Sequence, residues 1–444
     1  MVRRAASRLT RRVAAPSPVR DRRGARVAFY GPMPPAQTGI ATYDAAVLAG
    51  LGRIGYTRRV PVDPVWPVGH SDVAAVGDYP LGVFQMGNNA EHHLSIYRAF
   101  WRARGLLVLH DLALDDFVQA LLAQADPLGA VAVREAFAAR GRVEGGLDEP
   151  LQTPWCAAAA RRARGIVVHA EFCRRYLEEI GCRTPIFVVP HPPVEEPAAL
   201  AGAAPDAARL RSAAERRGAR HLVVAPGDVN AAKQLDALIA AAARLDPTVH
   251  VVVVGRKIPG FDLNRVVSAA GLGDRVQVHH DVDDQGFRAW LLAADVVVDL
   301  RHPHRGEVSG SLIRAQQAGL PAIVSATGTY LEAPVGTAVY VAAGPTDAAE
   351  LAAAIRELLE DPERRSRMGE AAKRHVNRLG ETEAVAHAYA GAIDATLRIA
   401  TDPAEAVGAS WARRLAELGV TEEQVRAGYG VEYVRALRDV TPSS

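Results

Sequence analysis

The chain has 444 residues, of which 49% are hydrophobic, and its formal net charge is +2 at pH 7. This length predicts two domains with sizeable cores, and so small a net charge gives no electrostatic case for nucleic acid as a partner. The three cysteines, Cys156, Cys173 and Cys182, are odd in number and share no CxxC spacing. They indicate reduced thiols in a cytoplasmic protein rather than a disulfide framework or a zinc site. No apolar run reaches the length of a bilayer span.

Residues 1–25 hold eight arginines and few apolar side chains. This composition predicts a flexible, solvated basic tail. The alternative is a peripheral contact with anionic lipid, which would suit a membrane-bound acceptor.

Residues 26–43 predict a strand, a loop rich in glycine and proline, and the start of a helix. Gly39 lies where the strand passes to the helix, and no GxGxxG motif is present to indicate dinucleotide binding. The pattern alone leaves open whether this loop is a plain turn or part of a site.

Two further strands within residues 81–117 end in polar groups, the first at Asn88 and Asn89 and the second at His110 and Asp111. His93 lies on the helix between them. Neighbouring histidines on a helix point to different faces, and HDxxxxD is not a convincing set of metal ligands. The pattern therefore predicts no metal site, and for most of these side chains a structural role is the simpler interpretation.

The remaining segments divide the chain into domains. Residues 166–193 read as strand, helix and strand, and the segment 196–217, rich in Pro, Ala, Glu and Arg, is interpreted as a linker. The first domain then spans residues 26–195 and the second spans 218–381. Residues 382–400 are predicted to be a helix that returns to the first domain, and residues 401–444 a helical extension.

The most informative stretch is residues 295–321. A short apolar run, typical of a buried parallel strand, is followed by a charged loop that contains Glu307 and then by Ser309, Gly310 and Ser311 at the start of a helix. Ligands of α/β sheets bind at the carboxyl ends of strands, and helix N-termini bind anions such as phosphate. The stretch therefore predicts a site for a phosphorylated ligand.

Three patterns resemble the retaining GT-B glycosyltransferases of family four: GExSGxLxRAxxxGxP at 306–321, PPxxxGIxxY at 34–43, and LHD at 109–111. The resemblance covers roughly residues 26–400. It implies a GT-B fold of two facing Rossmann-like, doubly wound α/β domains, with the donor bound mainly by the second. It implies His110 and Glu307 as catalytic residues, and as donor-binding residues Gly39, Gly227, Lys233, Ser309, Gly310 and Ser311. Further candidates are Asn88, Asn89, His93, Arg305, Arg314 and Glu332.

The chain departs from the family pattern at two places. The family's second glutamate falls here on Arg314 or Ala315, which removes the usual ribose contact. Asp228 stands where the family often has arginine, and an acid cannot neutralise phosphate. We expect another cation to help Lys233 with the diphosphate, with Arg301 as the first candidate and Arg305 and Arg256 behind it.

The resemblance implies transfer of a hexose from a nucleotide sugar to an acceptor hydroxyl with retention, by a front-face route that uses no metal and no cofactor. The acceptor is left open among a saccharide, a lipid-linked saccharide and a small molecule. Two alternatives remain, a GT-B sugar-nucleotide epimerase and a non-catalytic scaffold or partner subunit. The missing glutamate and Asp228 are the features that favour the scaffold.

Overall fold

The computed structural model describes residues 26–36, 38–66, 79–143 and 147–399. The predicted basic tail at 1–25 and the predicted extension at 401–444 lie outside the described residues. Within the described ranges the chain forms two parallel six-stranded sheets with helices between successive strands. Most of the strands are apolar and fully buried, as expected for parallel sheets that helices cover on both faces.

The first sheet has the strand order β2-β1-β3-β4-β5-β6. Its strands are β1 (Val27–Tyr30), β2 (Val62–Val65), β3 (Leu81–Met86), β4 (Leu106–Leu109), β5 (Gly165–Val168) and β6 (Ile186–Val188). The order reverses at β1, because Val27 pairs with Val62 of β2 on one side and with Leu81 of β3 on the other. Such a reversal opens a crevice at the carboxyl ends of the strands.

Short polar side chains cap some of the helices in this half. Thr38 accepts the backbone N–H of Ala41 at the start of α1, and Asn89 accepts that of Glu91 at the start of α3. The helices are α1 (Gly39–Arg53), α2 (Tyr56–Arg59), α3 (Ala90–Ala103), α4 (Asp115–Ala123), α5 (Pro127–Ala139), α6 (Glu149–Gln152), α7 (Ala157–Arg162) and α8 (Glu171–Glu179).

The second sheet has the strand order β12-β11-β10-β7-β8-β9. Its strands are β7 (His221–Pro226), β8 (Val249–Gly255), β9 (Val276–His280), β10 (Val296–Asp299), β11 (Ala322–Ser325) and β12 (Val339–Val341). The order reverses between β7 and β10, so the segments that follow these two strands share one crevice. The helices are α10 (Leu235–Ala242), α11 (Leu263–Ala269), α12 (Asp284–Ala293), α13 (Gly310–Gln317), α14 (Ala348–Glu360) and α15 (Pro362–Leu379).

The segment predicted as a linker is instead a helix, α9 (Pro197–Arg216), which packs against α12. Ala203, Ala207 and Ala214 are buried, because their small side chains allow the two helices to approach closely. The prediction was wrong because alanine gives a weak apolar period and because Pro205 lies inside the helix. The connection between the sheets is therefore the shorter stretch between β6 and α9.

The chain passes between the two halves twice, before α9 and before its last described helix, and both passages make contacts. The two halves belong to one compact unit that extends to Thr396. Gln317 of α13 accepts the backbone N–H groups of Val194 and Glu195 at 3.0 Å, which fixes the connection to the second sheet. The last described helix, α16 (Thr382–Arg398), lies against the first sheet, where the Tyr389 hydroxyl accepts Gln85 Nε2 at 2.8 Å.

Across residues 26–399, leaving aside the undescribed gaps, no helix is both long enough and apolar enough to cross a membrane.

Candidate active site

The carboxyl ends of β7 and β10 meet at a buried ion pair between Lys233 and Asp299. Lys233 is 6% exposed, and its ammonium donates to Asp299 Oδ1, to Pro226 O at 3.2 Å and to Ser311 Oγ at 3.2 Å. Lys233 reaches this position because a 3-10 turn, Ala231–Lys233, bends the chain before α10. The lysine predicted to bind phosphate is thus held beside the first turn of α13.

Sequence analysis missed Asp299, which organises this part of the site. It is fully buried at the end of β10, where it accepts Ser309 Oγ at 2.6 Å and Tyr330 OH at 3.2 Å in addition to Lys233. Burial raises the pKa of Asp299, but the charges of Lys233 and Arg301 outweigh that effect and hold it below its usual value. The signal in the sequence was an acid that directly follows a strand of three valines.

Glu307 is bound to Arg301 on the loop that follows β10. Arg301 Nε lies 2.8 Å from Glu307 Oε1, and Glu307 Oε2 accepts the backbone N–H of Arg305 at 2.7 Å. Burial raises the pKa of Glu307, yet the positive charge of Arg301 and the contribution of His304 lower it to about 2. Glu307 is therefore ionised at neutral pH.

Gly227, at the end of β7, allows the close contact between Lys233 and Ser311. Its φ of +104° favours glycine, and a Cβ there would lie 2.9 Å from Ser311 Oγ and 3.2 Å from Lys233 Nζ. The next residue, Asp228, forms a two-pronged ion pair with Arg256 at 2.9 and 2.7 Å. Arg256 thus neutralises the acid that replaces the family's arginine.

The loop after β10 also contacts the first domain. The backbone N–H groups of Leu112 and Ala113 donate to Arg305 O at 2.9 and 3.0 Å, and the Arg305 guanidinium binds Asp115 at 3.1 and 3.2 Å. Cys173 Sγ donates to Gly306 O at 3.1 Å. Arg305, predicted as a reserve phosphate ligand, therefore holds the two domains together.

These contacts place Glu307 beside the His110–Asp111 segment at the end of β4. His110 Nε2 lies 2.9 Å from Gln85 Oε1, and Asp111 Oδ2 accepts the backbone N–H of Asn88 at 2.9 Å. Burial and the negative charge of Glu307 raise the pKa of Asp111 to about 7. Burial lowers the pKa of His110 well below its ordinary value, so this imidazole is neutral.

Several of the further candidates make structural contacts within the first domain. Asn88 donates to Asp115 and Asp116 at 3.0 Å each and accepts the backbone N–H of Phe117, which caps α4. Asn89 caps α3, as described above. His93 is 2% exposed, and its Nδ1 lies 3.0 Å from Gln85 O.

Arg314 and Glu332 bind protein groups as well. Arg314 donates to the buried carboxylate of Glu195, which Arg288 also binds, and its guanidinium lies 4.1 Å from the centre of the Phe287 ring. Glu332 accepts the backbone N–H groups of Glu171 and Phe172, the first two residues of α8. Gly39 is exposed at the start of α1, and a Cβ there would meet open space.

In the part of the chain that the structure describes, no group of three or more His, Cys, Asp or Glu residues is arranged to hold a metal ion.

Two parallel six-stranded sheets with flanking helices, joined by contacts from the loop after β10, define the GT-B fold. Solved structures confirm the fold. HepE of Anabaena, in complex with UDP and glucose, has a TM-score of 0.59 and 18% identity, covering 84% of this chain and 100% of that chain. Sucrose-phosphate synthase of Thermosynechococcus elongatus has a TM-score of 0.59 and 19% identity, covering 82% of this chain and 97% of that chain.

Residues 206–375 match the family model described as glycosyl transferases group 1. The chain therefore has a GT-B fold, and residues 206–375 are similar to the group 1 glycosyl transferases.

Two curated relatives share part of the sequence. D-inositol 3-phosphate glycosyltransferase of Arthrobacter sp. is 31% identical over 188 residues, which are 40% of this chain and 44% of that protein. The protein of the same name from Xylanimonas cellulosilytica is 30% identical over 170 residues, which are 37% of this chain and 40% of that protein. The chain thus matches less than half the length of each relative.

Proposed function

We propose that the protein is a retaining glycosyltransferase that moves a hexose from a nucleotide-sugar donor to an acceptor hydroxyl, without a metal or a cofactor. The observation that carries this proposal is the convergence of Lys233, Ser311 and the first turn of α13 beside Gly227. A cation next to a helix N-terminus suits a phosphate group. Glu307 lies on the loop just before α13, and its carboxylate can accept hydrogen bonds from sugar hydroxyls.

The second domain would hold the diphosphate. The first-turn N–H groups of α13, including those of Gly310 and Ser311, have no carbonyl partner within their own helix. Ser311 Oγ and Lys233 Nζ are in contact beside them, at 3.2 Å. Arg301 adds a second positive charge close to Lys233. Fixed cations of this kind stabilise the charge that develops on a departing diphosphate, which lowers the barrier to reaction.

The sugar would lie between Glu307 of the second domain and His110 of the first. Glu307 is ionised and can accept hydrogen bonds from sugar hydroxyls, since its pKa is about 2. His110 is neutral and is oriented by Gln85. An ionised carboxylate on one side and a neutral imidazole on the other would position the anomeric carbon without reacting with it.

Retention is proposed to follow a front-face route. The bond from the anomeric carbon to the diphosphate oxygen breaks, and its electron pair leaves with the diphosphate. The acceptor oxygen attacks the same face, and its proton passes to the departing phosphate oxygen. Asp111, which follows His110, accepts the Asn88 backbone N–H, and burial and the charge of Glu307 raise its pKa to about 7. The proposed route gives it no nucleophilic role.

Named relatives support the donor and suggest an acceptor. HepE has been solved in complex with UDP-glucose, which supports a nucleotide-sugar donor here. The curated relatives are named for an inositol phosphate acceptor, and a polyol hydroxyl is the group this proposal requires. The three cysteines are free thiols, which fits a cytoplasmic location. The proposed lipid contact of residues 1–25 falls outside the described residues.

The test is a thermal-shift panel of UDP, GDP, ADP, dTDP and NAD, followed by a transfer assay with the sugar nucleotides of whichever base binds. A ligand that binds only the folded state raises the melting temperature. We expect one nucleoside diphosphate to raise it and NAD to leave it unchanged. A folded protein that responds to none of them would replace this proposal with the non-catalytic scaffold. Interconversion of sugar nucleotides without an acceptor would replace it with the epimerase.

A further inference from the structure

Three histidines end three adjacent strands of the first sheet, and we refer to His110, His169 and His191 as the histidine row. His110 directly follows β4, His169 directly follows β5, and His191 lies three residues after β6. Tyr43 of α1 touches all three rings, with centroid distances of 4.7, 4.9 and 5.1 Å. The rings of His110 and His169 are themselves 4.9 Å apart. The function proposed above uses only His110.

The partners of the row fix which nitrogen of each ring carries the proton. A carbonyl oxygen only accepts hydrogen bonds, so the ring nitrogen facing it must be an N–H donor. His169 Nδ1 donates to Val189 O at 2.9 Å, and His191 Nδ1 donates to Pro192 O at 2.8 Å. The Nε2 atoms of His169 and His191 therefore carry lone pairs and act as acceptors.

One of these acceptors is buried without a donor. His169 is 8% exposed, and its Nε2 has no hydrogen-bond partner among the residues that the structure describes. Leaving a buried acceptor unsatisfied costs free energy, so such an atom points to a ligand that supplies the missing donor. His110 and His191 are partly exposed on either side of it.

The row carries no positive charge. Burial lowers the pKa of His191 below its ordinary value and that of His169 to about 3, and His110 is shifted in the same direction. Asp44, next to Tyr43 in the chain, is fully buried, and within the described ranges neither of its carboxyl oxygens has a hydrogen-bond partner. A phosphate brings only acceptors at neutral pH, so it would meet lone pairs here. A hydroxyl group brings the donor that the row lacks.

The row is adjacent to the proposed transfer site. His110 is followed in the chain by Asp111, whose pKa is raised by the charge of Glu307. Cys173, on the helix that follows His169, donates to Gly306 O of the loop that carries Glu307. A group bound along the row would thus lie at the edge of the first sheet that faces the donor site.

We propose that His169 and His191 bind acceptor hydroxyls through their Nε2 atoms, so that the part of the acceptor at this edge is an uncharged saccharide or other polyol rather than a phosphate. This inference rests on the proposed function, which supplies the donor and the transfer. It adds the chemical class of the acceptor and two residues that select it.

The test uses substitutions that keep the side chain's hydrogen bond to a backbone carbonyl and remove the acceptor nitrogen, Nε2. Asparagine reproduces the Nδ1 donor of histidine but has no counterpart of Nε2, so His169→Asn and His191→Asn are the informative variants. His387→Asn is the matched control, because His387 Nδ1 also binds a backbone carbonyl, that of Glu383 at 2.7 Å, on an exposed face of α16. The full-length protein is titrated with glucose, mannose, galactose and myo-inositol and with their monophosphates.

We expect at least one neutral polyol to bind the wild type more tightly than its monophosphate. Each row variant should weaken that binding at least ~10-fold, the effect of one hydrogen bond to a buried group, while the control leaves it unchanged. Nucleotide-induced thermal shifts should be the same in all variants. Tighter binding of the monophosphates, no binding of any neutral polyol, or unchanged binding in both row variants would overturn the inference. If no nucleoside diphosphate raises the melting temperature of the wild type, that result would instead count against the proposed function.

Discussion

Lys233 and Asp299 form an ion pair that is almost completely closed to solvent, at the point where β7, β10 and α13 meet. Burial lowers the pKa of Lys233, while Lys233 and Arg301 hold the pKa of Asp299 low. A buried pair is costly when only one partner remains, because the other charge is then left unpaired in a poorly polarisable site.

This relationship predicts a non-additive effect on stability. Lys233→Met should lower the free energy of unfolding by about 3–5 kcal/mol, because Asp299 would remain buried and unpaired. Asp299→Asn added to it should recover much of that loss, because the remaining amide is neutral. Urea denaturation of both single variants and the double variant measures the coupling. Additive losses would show that the two side chains do not interact. The exposed Lys373→Met serves as control.

Glu307→Gln should lower the turnover number for transfer by about 10²-fold or more, because a neutral amide both donates and accepts and binds sugar hydroxyls less strongly than a carboxylate. The dissociation constant for the nucleoside diphosphate should not rise, since the substitution leaves Lys233, Arg301 and α13 in place and removes a negative charge beside Arg301. Steady-state kinetics and nucleotide titration separate the two effects. Glu363→Gln, on the exposed face of α15, is the matched control. A variant with wild-type turnover would remove Glu307 from the site.

Asp111 predicts a specific dependence of stability on pH. Its pKa is about 7 in the folded protein against an ordinary value of 3.8, so the folded state binds this proton more tightly than the unfolded state. The contribution of Asp111 to stability therefore declines as the pH rises from about 4 to about 7 and is constant above that range. The groups that act on it are Glu307, which raises its pKa, and Asn88, Arg305 and Arg301, which lower it.

Asp111→Asn removes this titration while its amide oxygen can still accept the Asn88 N–H. The variant should gain stability relative to wild type as the pH rises, by about 2.5 kcal/mol more near pH 8 than near pH 5. Thermal unfolding across that range measures the difference, with the exposed Asp274→Asn as control. A difference that is independent of pH would show that Asp111 is ionised throughout.

Glu332 links the second domain to the first, since its carboxylate accepts the first two backbone N–H groups of α8. Glu332→Ala should remove this cap, at a cost of about 1 kcal/mol, and should speed hydrogen exchange at Glu171 and Phe172. Exchange in α14, whose cap is Asp347, should be unaffected. Unchanged protection at α8 would show that the link does not persist in solution.

Much of the fold could be predicted from the sequence, because a short apolar run followed by turn residues is typical of a buried parallel strand. The strand and helix predicted within residues 295–321 are present as β10 (Val296–Asp299) and α13 (Gly310–Gln317). Each of these predictions rests on residues that are close together in the sequence. A local pattern could not show that α9 packs against α12, since the alanines that allow this contact look the same in a helix and in a linker.

The partners of the site residues could not be predicted, because they are distant in sequence. Lys233 and Asp299 are 66 residues apart, and Arg305 and Asp115 are 190 apart. Charges that pattern reasoning assigned to phosphate are paired with carboxylates in the structure, as Arg301 is with Glu307 and Arg256 with Asp228. Asn88, Asn89 and His93 look like a site motif but form caps and buried anchors.

Helix α16 has a consequence for how the protein is made. It is the last described helix of the chain, yet it packs on the first sheet, where the Tyr389 hydroxyl is the partner of the buried Gln85 amide and Asp394 binds Tyr56. Gln85 in turn orients His110. During synthesis the first domain leaves the ribosome early but stays incomplete until residues 382–398 follow, about 300 residues later than Gln85. The active-site edge of the first domain is thus assembled only when translation of the second domain has finished.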